Sequence, residues 1–214
     1  MLNDNAIKVL LVDDHTVARN GVRLMLSEAH DIEVTSEAES AEEAARLVRT
    51  QAYDVALLDI ALPGKNGLDL LKQLRMDKPK MAVLILSMYS EEVYAIRALK
   101  LGASGYLTKN NPSAPLIAAV RKVAAGGKYI SPGLVDKLAD MVDSESRMPH
   151  EILSDRELEI LKLIASGESL VTIGLMLHLS PKTITTYRTR ILEKMDLTSN
   201  ADLARYARAN DLLP

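Results

Sequence analysis

Asp54-Val55-Ala56-Leu57-Leu58-Asp59, followed by Ile60-Ala61-Leu62-Pro63-Gly64, is a short apolar run that closes on a carboxylate and leads into a turn. A run of this length, bounded by turn residues, is the pattern of a buried strand. Four comparable runs accompany it: Ile7 to Val12, Ile32 to Glu37, Ala82 to Ser87 and Ser104 to Leu107. Amphipathic helical patterns separate them, which predicts an α/β fold, a doubly wound five-stranded parallel sheet with helices on both faces. The second run is the least hydrophobic and is therefore assigned to an edge. Two helix starts are explicit: Ser40 with Glu43 forms a capping-box pattern, and Ser90 precedes two glutamates in the helix expected over Ser90 to Leu101.

Gly126-Gly127 ends this rhythm. Beyond it the strand signal disappears. The expected organisation is a first domain over residues 1–126, a linker over 127–152 and an all-α domain over 153–214. Within the linker, Leu134, Leu138 and Met141 share one helical face before the polar run Asp143 to His150. In the last domain Ser154 and Glu157 form a second capping box, Ser180-Pro181 caps and starts a helix, and Ser199 opens another.

Composition narrows the function classes. With 48% hydrophobic and 26% charged residues, the 214-residue chain can fill a core, and the absence of cysteine excludes disulfides and thiolate chemistry. The first apolar run stops at Asp13-Asp14, too short and too acidic for a signal peptide or membrane span, so no membrane role and a cytoplasmic location are expected. A net charge of −3 makes no global case for nucleic acid, so any such case rests on local clustering.

In an open parallel sheet, ligands collect at the carboxyl ends of the strands. Here those ends carry Asp13-Asp14, Asp59 and Ser87, and Lys109 follows the fifth strand closely. Three carboxylates on one edge repel each other unless a cation sits among them, and an all-oxygen site suits Mg2+. A serine hydroxyl and a lysine ammonium are the groups that hold the oxygens of a phosphoryl group placed on Asp59. The plainer alternative is that Asp13 or Asp14 only caps the following helix, and that His15 beside them is a helix-start residue rather than a ligand.

Val12-Asp13-Asp14-His15, Leu57 to Gly64, Leu86-Ser87 and Gly102-Ala103-Ser104-Gly105-Tyr106-Leu107-Thr108-Lys109 together resemble a flavodoxin-like response-regulator receiver. The resemblance implies that Asp59 takes a phosphoryl group from a histidine kinase. It also implies that Asp13, Asp14, Asp59 and the Ala61 carbonyl bind Mg2+, that Ser87 and Lys109 contact the phosphoryl group, and that Tyr106 is a switch aromatic. Read without the resemblance, Tyr106 is a half-buried packing tyrosine. Many receivers place proline directly after the lysine, whereas Lys109 here precedes Asn110-Asn111-Pro112, so the usual cis peptide is not assured.

On a helical wheel of residues 181–195, Ile184, Ile191 and Met195 share one side, while Lys182, Thr185, Thr186, Thr189 and Arg190 face away. Lys182, Arg188, Arg190 and Lys194 stand against Glu193 alone, a local positive charge that can meet phosphates. A solvated surface helix gives the same pattern. Leu153 to Leu161, Leu179 to Ile184 and Tyr187 to Ile191 resemble the LuxR-type helix-turn-helix, and the whole chain resembles the NarL/FixJ family. This implies double-stranded DNA as a partner. Thr185, Thr186 and Thr189 then lie near bases, with Lys182, Arg188 and Arg190 at phosphates, and the last helix makes a homodimer contact. Related tails usually carry polar residues and an alanine along the preceding helix, but this one reads Leu170-Val171-Thr172-Ile173-Gly174-Leu175-Met176, so Leu170 or Val171, if exposed, would touch protein instead.

The expected function is therefore that of a transcription factor in which phosphorylation of Asp59 promotes dimerisation and DNA binding. The alternative is a phosphorylation-dependent interaction protein with weak or no specific DNA binding. An enzyme is not expected, because aspartate-nucleophile phosphohydrolases need a second aspartate where Ala61 stands.

Overall fold

The computed structural model describes residues 6–63, 66–88, 91–131, 134–135, 148–210 and 212–213, the side chains of residues 91–93 excepted. Strands β1 (Ile7–Val12), β2 (Ile32–Ala38), β3 (Val55–Leu58), β4 (Ala82–Ser87) and β5 (Gly105–Thr108) alternate with helices α1 (Thr16–Ser27), α2 (Ala41–Thr50), α3 (Gly67–Asp77), α4 (Glu91–Lys100) and α5 (Ser113–Ala124). Every strand pairing is parallel and the order is β2-β1-β3-β4-β5, so the weakly hydrophobic second strand is indeed an edge. Packing divides the chain into two compact units, Met1–Ala139 and Asp140–Pro214.

Strand residues alternate between the two covered faces. Val9, Leu11, Val55, Leu57, Leu84 and Leu86 meet Val22 and Leu26 of α1 and Leu116 and Val120 of α5. Leu10, Val12, Ala56, Leu58, Val83 and Ile85 between them are equally buried. Each such side chain contributes roughly 1.5–3 kcal/mol by leaving water, which fixes the register and hence the line of strand ends.

Three local expectations are corrected. β3 starts after Asp54 and stops before Asp59, although both N–H groups still bond to β1, at the Lys8 and Val12 carbonyls, 2.9 Å each. Asp54 Oδ2 instead accepts the Lys8 N–H at 2.8 Å. β5 spans Gly105–Thr108, one residue beyond its expected start and end. Ser40 caps α2 by accepting the Glu43 N–H, but the Glu43 carboxylate reaches the Glu39 N–H at 3.0 Å, so that capping box is only half formed. Ser90, Leu138 and Met141 lie outside the described residues, and Leu134 is buried. No cis peptide occurs among the described residues.

Among its described residues the second unit holds a 3-10 turn (Pro149–Ile152) and four helices, α6 (Asp155–Ala165), α7 (Leu170–Met176), α8 (Pro181–Met195) and α9 (Asn200–Ala209). Ser154 and Glu157 complete the expected reciprocal capping box of α6. Leu158, Leu161, Ile173, Ile184, Ile191 and Leu203 make the core. Glu157 also accepts Lys194 Nζ at 2.7 Å, tying α6 to α8. Burial works to raise the Glu157 carboxyl, but the bonds from Lys194 and Ser154 overcome it and hold the group below its ordinary value. A Cβ on Gly174 would stand 2.7 Å from the Leu179 carbonyl oxygen, so the turn into α8 passes too close for any other residue. Among the described residues no helix is long and apolar enough to cross a membrane.

Candidate functional site

The strand register assembles the first site. Val12 pairs with Leu58, and Leu58 with Ile85, so Asp13 and Asp59 leave neighbouring strands side by side and Ser87 ends the next. Ser87 pairs with Thr108, and its carbonyl accepts the Lys109 N–H at 2.8 Å, which brings the lysine to the same edge. Asp13, Asp59 and Ser87 are buried to 3% exposure or less. Lys109 Nζ lies 2.6 Å from both Asp13 Oδ2 and Asp59 Oδ2. Ala61 is tied in through its backbone, its N–H donating to Asp59 Oδ1 at 3.3 Å.

The ammonium shared with Asp13 does not fully compensate the buried Asp59 carboxylate. Burial pushes the Asp59 carboxyl above its ordinary value, and Lys109 offsets only part of that push. For Lys109, burial acts to lower the value, but Asp59 and Asp13 outweigh it and hold the ammonium above the usual lysine range. The pair is therefore an electrostatically loaded group, with charge retained in a place where water does not stabilise it.

Asp13, Asp14, His15 and Asp59 each offer a ligand atom, all within 4.8 Å of one another. Asp14 Oδ1 is buried and accepts no hydrogen bond; His15 Nδ1 stands 2.8 Å away but not in hydrogen-bonding alignment. A buried carboxylate oxygen without a proton donor, beside two further carboxylates, fits a hard divalent cation. His15 occupies the N-cap position of α1 with its side chain largely exposed, and its backbone N–H donates to Asp13 Oδ1 in a turn that precedes the helix. Among the described residues no side chain caps α1, so the expectation that Asp13 or Asp14 only caps that helix is corrected.

Tyr106 is wholly buried on β5 opposite Ile85, which corrects the half-buried expectation. Arg19 was not singled out by the sequence. Its guanidinium is 10% exposed and donates from Nη1 to the Asp13 carbonyl at 2.7 Å, from Nε to Glu37 at 2.8 Å and from Nη2 to Glu39 at 2.6 Å. The only trace in the sequence is an arginine on the inward side of an otherwise apolar stripe.

In the second unit, Ile184, Ile191 and Met195 are buried, while Lys182, Thr185, Thr186, Thr189 and Arg190 are exposed and line one shallow concavity with Glu193. The three threonine hydroxyls donate to carbonyls one turn back, at Pro181, Lys182 and Thr185. Arg188 is half buried and its Nε donates to Asn200 Oδ1 at 2.6 Å, which braces α8 against α9. On α7, Leu170 is half buried, but Val171, Leu175 and Met176 are exposed.

Comparison with known proteins follows the same division. The family described as response regulator receiver domain matches residues 9–121, and the family of bacterial regulatory proteins of the luxR type matches residues 151–207. The response regulator GacA of Pseudomonas aeruginosa is 36% identical over 203 residues, 94% of this chain and 95% of GacA. The response regulator UvrY of Escherichia coli K12 is 32% identical over 203 residues, 94% of this chain and 93% of its own length. Among solved structures, a LuxR-family two-component response regulator from an Aurantimonas species is 32% identical with a TM-score of 0.61, covering 65% of this chain and 99% of that one. With a receiver sheet, a helix-turn-helix unit and full-length relatives of the same build, the chain belongs to the NarL/FixJ family of two-component response regulators with a LuxR-type DNA-binding domain.

Proposed function

We propose that Asp59 is the phosphoacceptor and that its phosphorylation promotes homodimer formation and sequence-specific binding of double-stranded DNA. The observation that carries this reading is Lys109 Nζ placed equally, at 2.6 Å, on the buried carboxylates of Asp13 and Asp59. A histidine kinase is the donor: the N–P bond of its phosphohistidine breaks as an Asp59 oxygen bonds to phosphorus, and the histidine leaves as the neutral imidazole once protonated. Lys109 and the Ser87 hydroxyl hold phosphoryl oxygens, and the Asp59 N–H bonded to Val12 fixes the acceptor to the sheet. Receiver domains generally bind Mg2+ at this acidic pocket; Asp13, Asp14, Asp59 and the Ala61 carbonyl would hold it, and it would neutralise charge on the phosphoryl oxygens. Tyr106, on the strand that leads to Lys109, is the element through which the site reaches the α4–β5–α5 face.

On the DNA side, Lys182 and Arg190 meet phosphates, with Arg188 orienting α8 while reaching the backbone, and Thr185, Thr186 and Thr189 approach base edges. The test is a gel-shift titration of the full chain with and without acetyl phosphate. Promoter affinity rises with the phosphodonor for the unaltered chain and stays flat for Asp59→Asn; equal affinity in both cases refutes the switch.

One observation favours a second reading, a phosphorylation-dependent interaction protein. Val171, Leu175 and Met176 expose apolar surface on α7, where a DNA-binding tail more usefully carries polar groups. Weak binding with no sequence preference and little salt dependence would support it.

A further inference from the structure

We infer that Arg19 is a positioning residue for the divalent-cation site, clamping the Asp13–Asp14 peptide to the end of β2; this rests on the acidic-edge reading above. Asp14 Oδ1 accepts no hydrogen bond, and the ring nitrogen beside it, His15 Nδ1 at 2.8 Å, belongs to a largely exposed side chain that does not fix its direction. Its direction follows from the backbone that carries it. The Asp13 carbonyl belongs to the peptide unit between Asp13 and Asp14, and a peptide is planar, so fixing that oxygen fixes the plane from which the Asp14 side chain departs. Arg19 Nη1 is what holds it, at 2.7 Å.

The clamp has its own anchor. Nε and Nη2 grip Glu37 and Glu39, which flank Ala38, and the Ala38 carbonyl accepts the Asp13 N–H at 3.0 Å. The acidic loop is thus fastened to the edge strand twice, once by its own N–H and once through the guanidinium. A planar fork with donors in three directions is needed for this; an ammonium on a flexible stem cannot serve all three acceptors at once. Groups that orient metal ligands typically change affinity 10- to 100-fold when removed.

The experiment is calorimetric titration of the full chain with Mg2+ alone, beside urea unfolding without Mg2+. Arg19→Met and Arg19→Lys are expected to weaken Mg2+ binding about tenfold while the folded fraction at the titration temperature stays complete. Arg23→Met, one turn along α1 and more than half exposed, is expected to bind as the unaltered chain does. A merely structural role would shift the urea midpoint and leave the affinity of the folded protein unchanged, and that result overturns the inference. Should Arg19→Met not fold, Glu37→Gln with Glu39→Gln keeps the arginine but loosens its anchor, and is expected to weaken binding severalfold; unchanged affinity there overturns it equally. If the unaltered chain binds no Mg2+, the acidic-edge reading falls and takes this inference with it, whereas equal binding by all variants removes the arginine's role alone.

Discussion

Asp13 and Asp59 at the acidic edge of the sheet are buried and both paired with the largely enclosed Lys109 ammonium, while Lys182 and Arg190 on α8 stand exposed with no such enclosure. The first arrangement is loaded before any partner arrives: burial holds the Asp59 carboxyl above its ordinary value, and the geometry is set by strand register. The second has its shape fixed by the core beneath it and its charge left for a polyanion to neutralise. On the proposed reading the first makes and breaks a covalent bond and gains from preorganisation, whereas the second must find, slide along and release DNA and gains from charges that remain solvated until contact. Even the hydroxyls differ. Ser87 is wholly enclosed, but Thr185, Thr186 and Thr189 direct their protons to their own helix.

The sharpest way to break the contrast is to disturb the enclosed site without touching its charges. A Cβ on Gly67 would lie 2.1 Å from the Asp59 carbonyl oxygen and 2.8 Å from Ile60 Cα, both backbone atoms that cannot swing away. Gly67→Ala is expected to lower stability by about 3 kcal/mol, and to slow phosphoryl uptake from acetyl phosphate by roughly a hundredfold, the scale of a small misplacement of reacting atoms. Intact-protein mass spectrometry over time, with urea unfolding, measures both.

On the exposed surface the losses are smaller and additive. Lys182→Ala and Arg190→Ala are each expected to weaken DNA binding nearly uniformly across sequences and to reduce the slope of log affinity against log salt by about 1. Filter binding at several ionic strengths reads this directly, and an unchanged slope would mean that the side chain does not meet a phosphate.

Asp59 also carries a stability consequence with a definite sign. Folding raises its proton affinity, so its contribution is most favourable when it is protonated, below the ordinary carboxylate range, and is lost as pH climbs through the folded value. At neutral pH the ionised group is a net cost. Asp59→Asn, which resembles the protonated form, is therefore expected to gain stability at pH 7, with the gain shrinking as pH falls. Urea midpoints at a series of pH values test it.

The smallest effect separates the two uses of hydroxyl groups. With the Thr186 proton given to the Lys182 carbonyl at 3.0 Å, its hydroxyl oxygen is left only to accept, and on the proposed reading the methyl is the apolar group that would meet a base. A thymine methyl is its natural counterpart in the major groove. Thr186→Ser is expected to cost about 0.8 kcal/mol, roughly fourfold in affinity, the value of one buried methyl. Replacing thymine by uracil in the bound site should cost the unaltered chain the same amount and the serine variant nothing further.

The fold was legible because continuous apolar runs and capping serines are short-range signals. β1 and β4 coincide with their expected spans, and the wheel of residues 181–195 separates buried from exposed as expected. The carboxylates at strand ends were legible for the same reason, since parallel strands must end together. What escaped depends on convergence in space. Arg19 meets partners from 6 to 20 residues away, and no local pattern marks such a clamp. The full burial of Tyr106 follows from how closely its surroundings pack, which spacing along a strand cannot reveal. The Glu43 carboxylate chose the Glu39 N–H over the Ser40 N–H that a capping box would use, two donors on consecutive residues.

The contact of Gly174 with the turn at Leu179 bears on how this reader can be rebuilt. Because α7 and the start of α8 meet through bare backbone, a recognition segment transplanted from a relative with alanine at that position would arrive with its axis displaced outward. Exchanging binding preferences between such proteins therefore succeeds by moving the glycine, the turn and the reading helix as one cassette, and single-helix grafts into this scaffold are the ones to avoid.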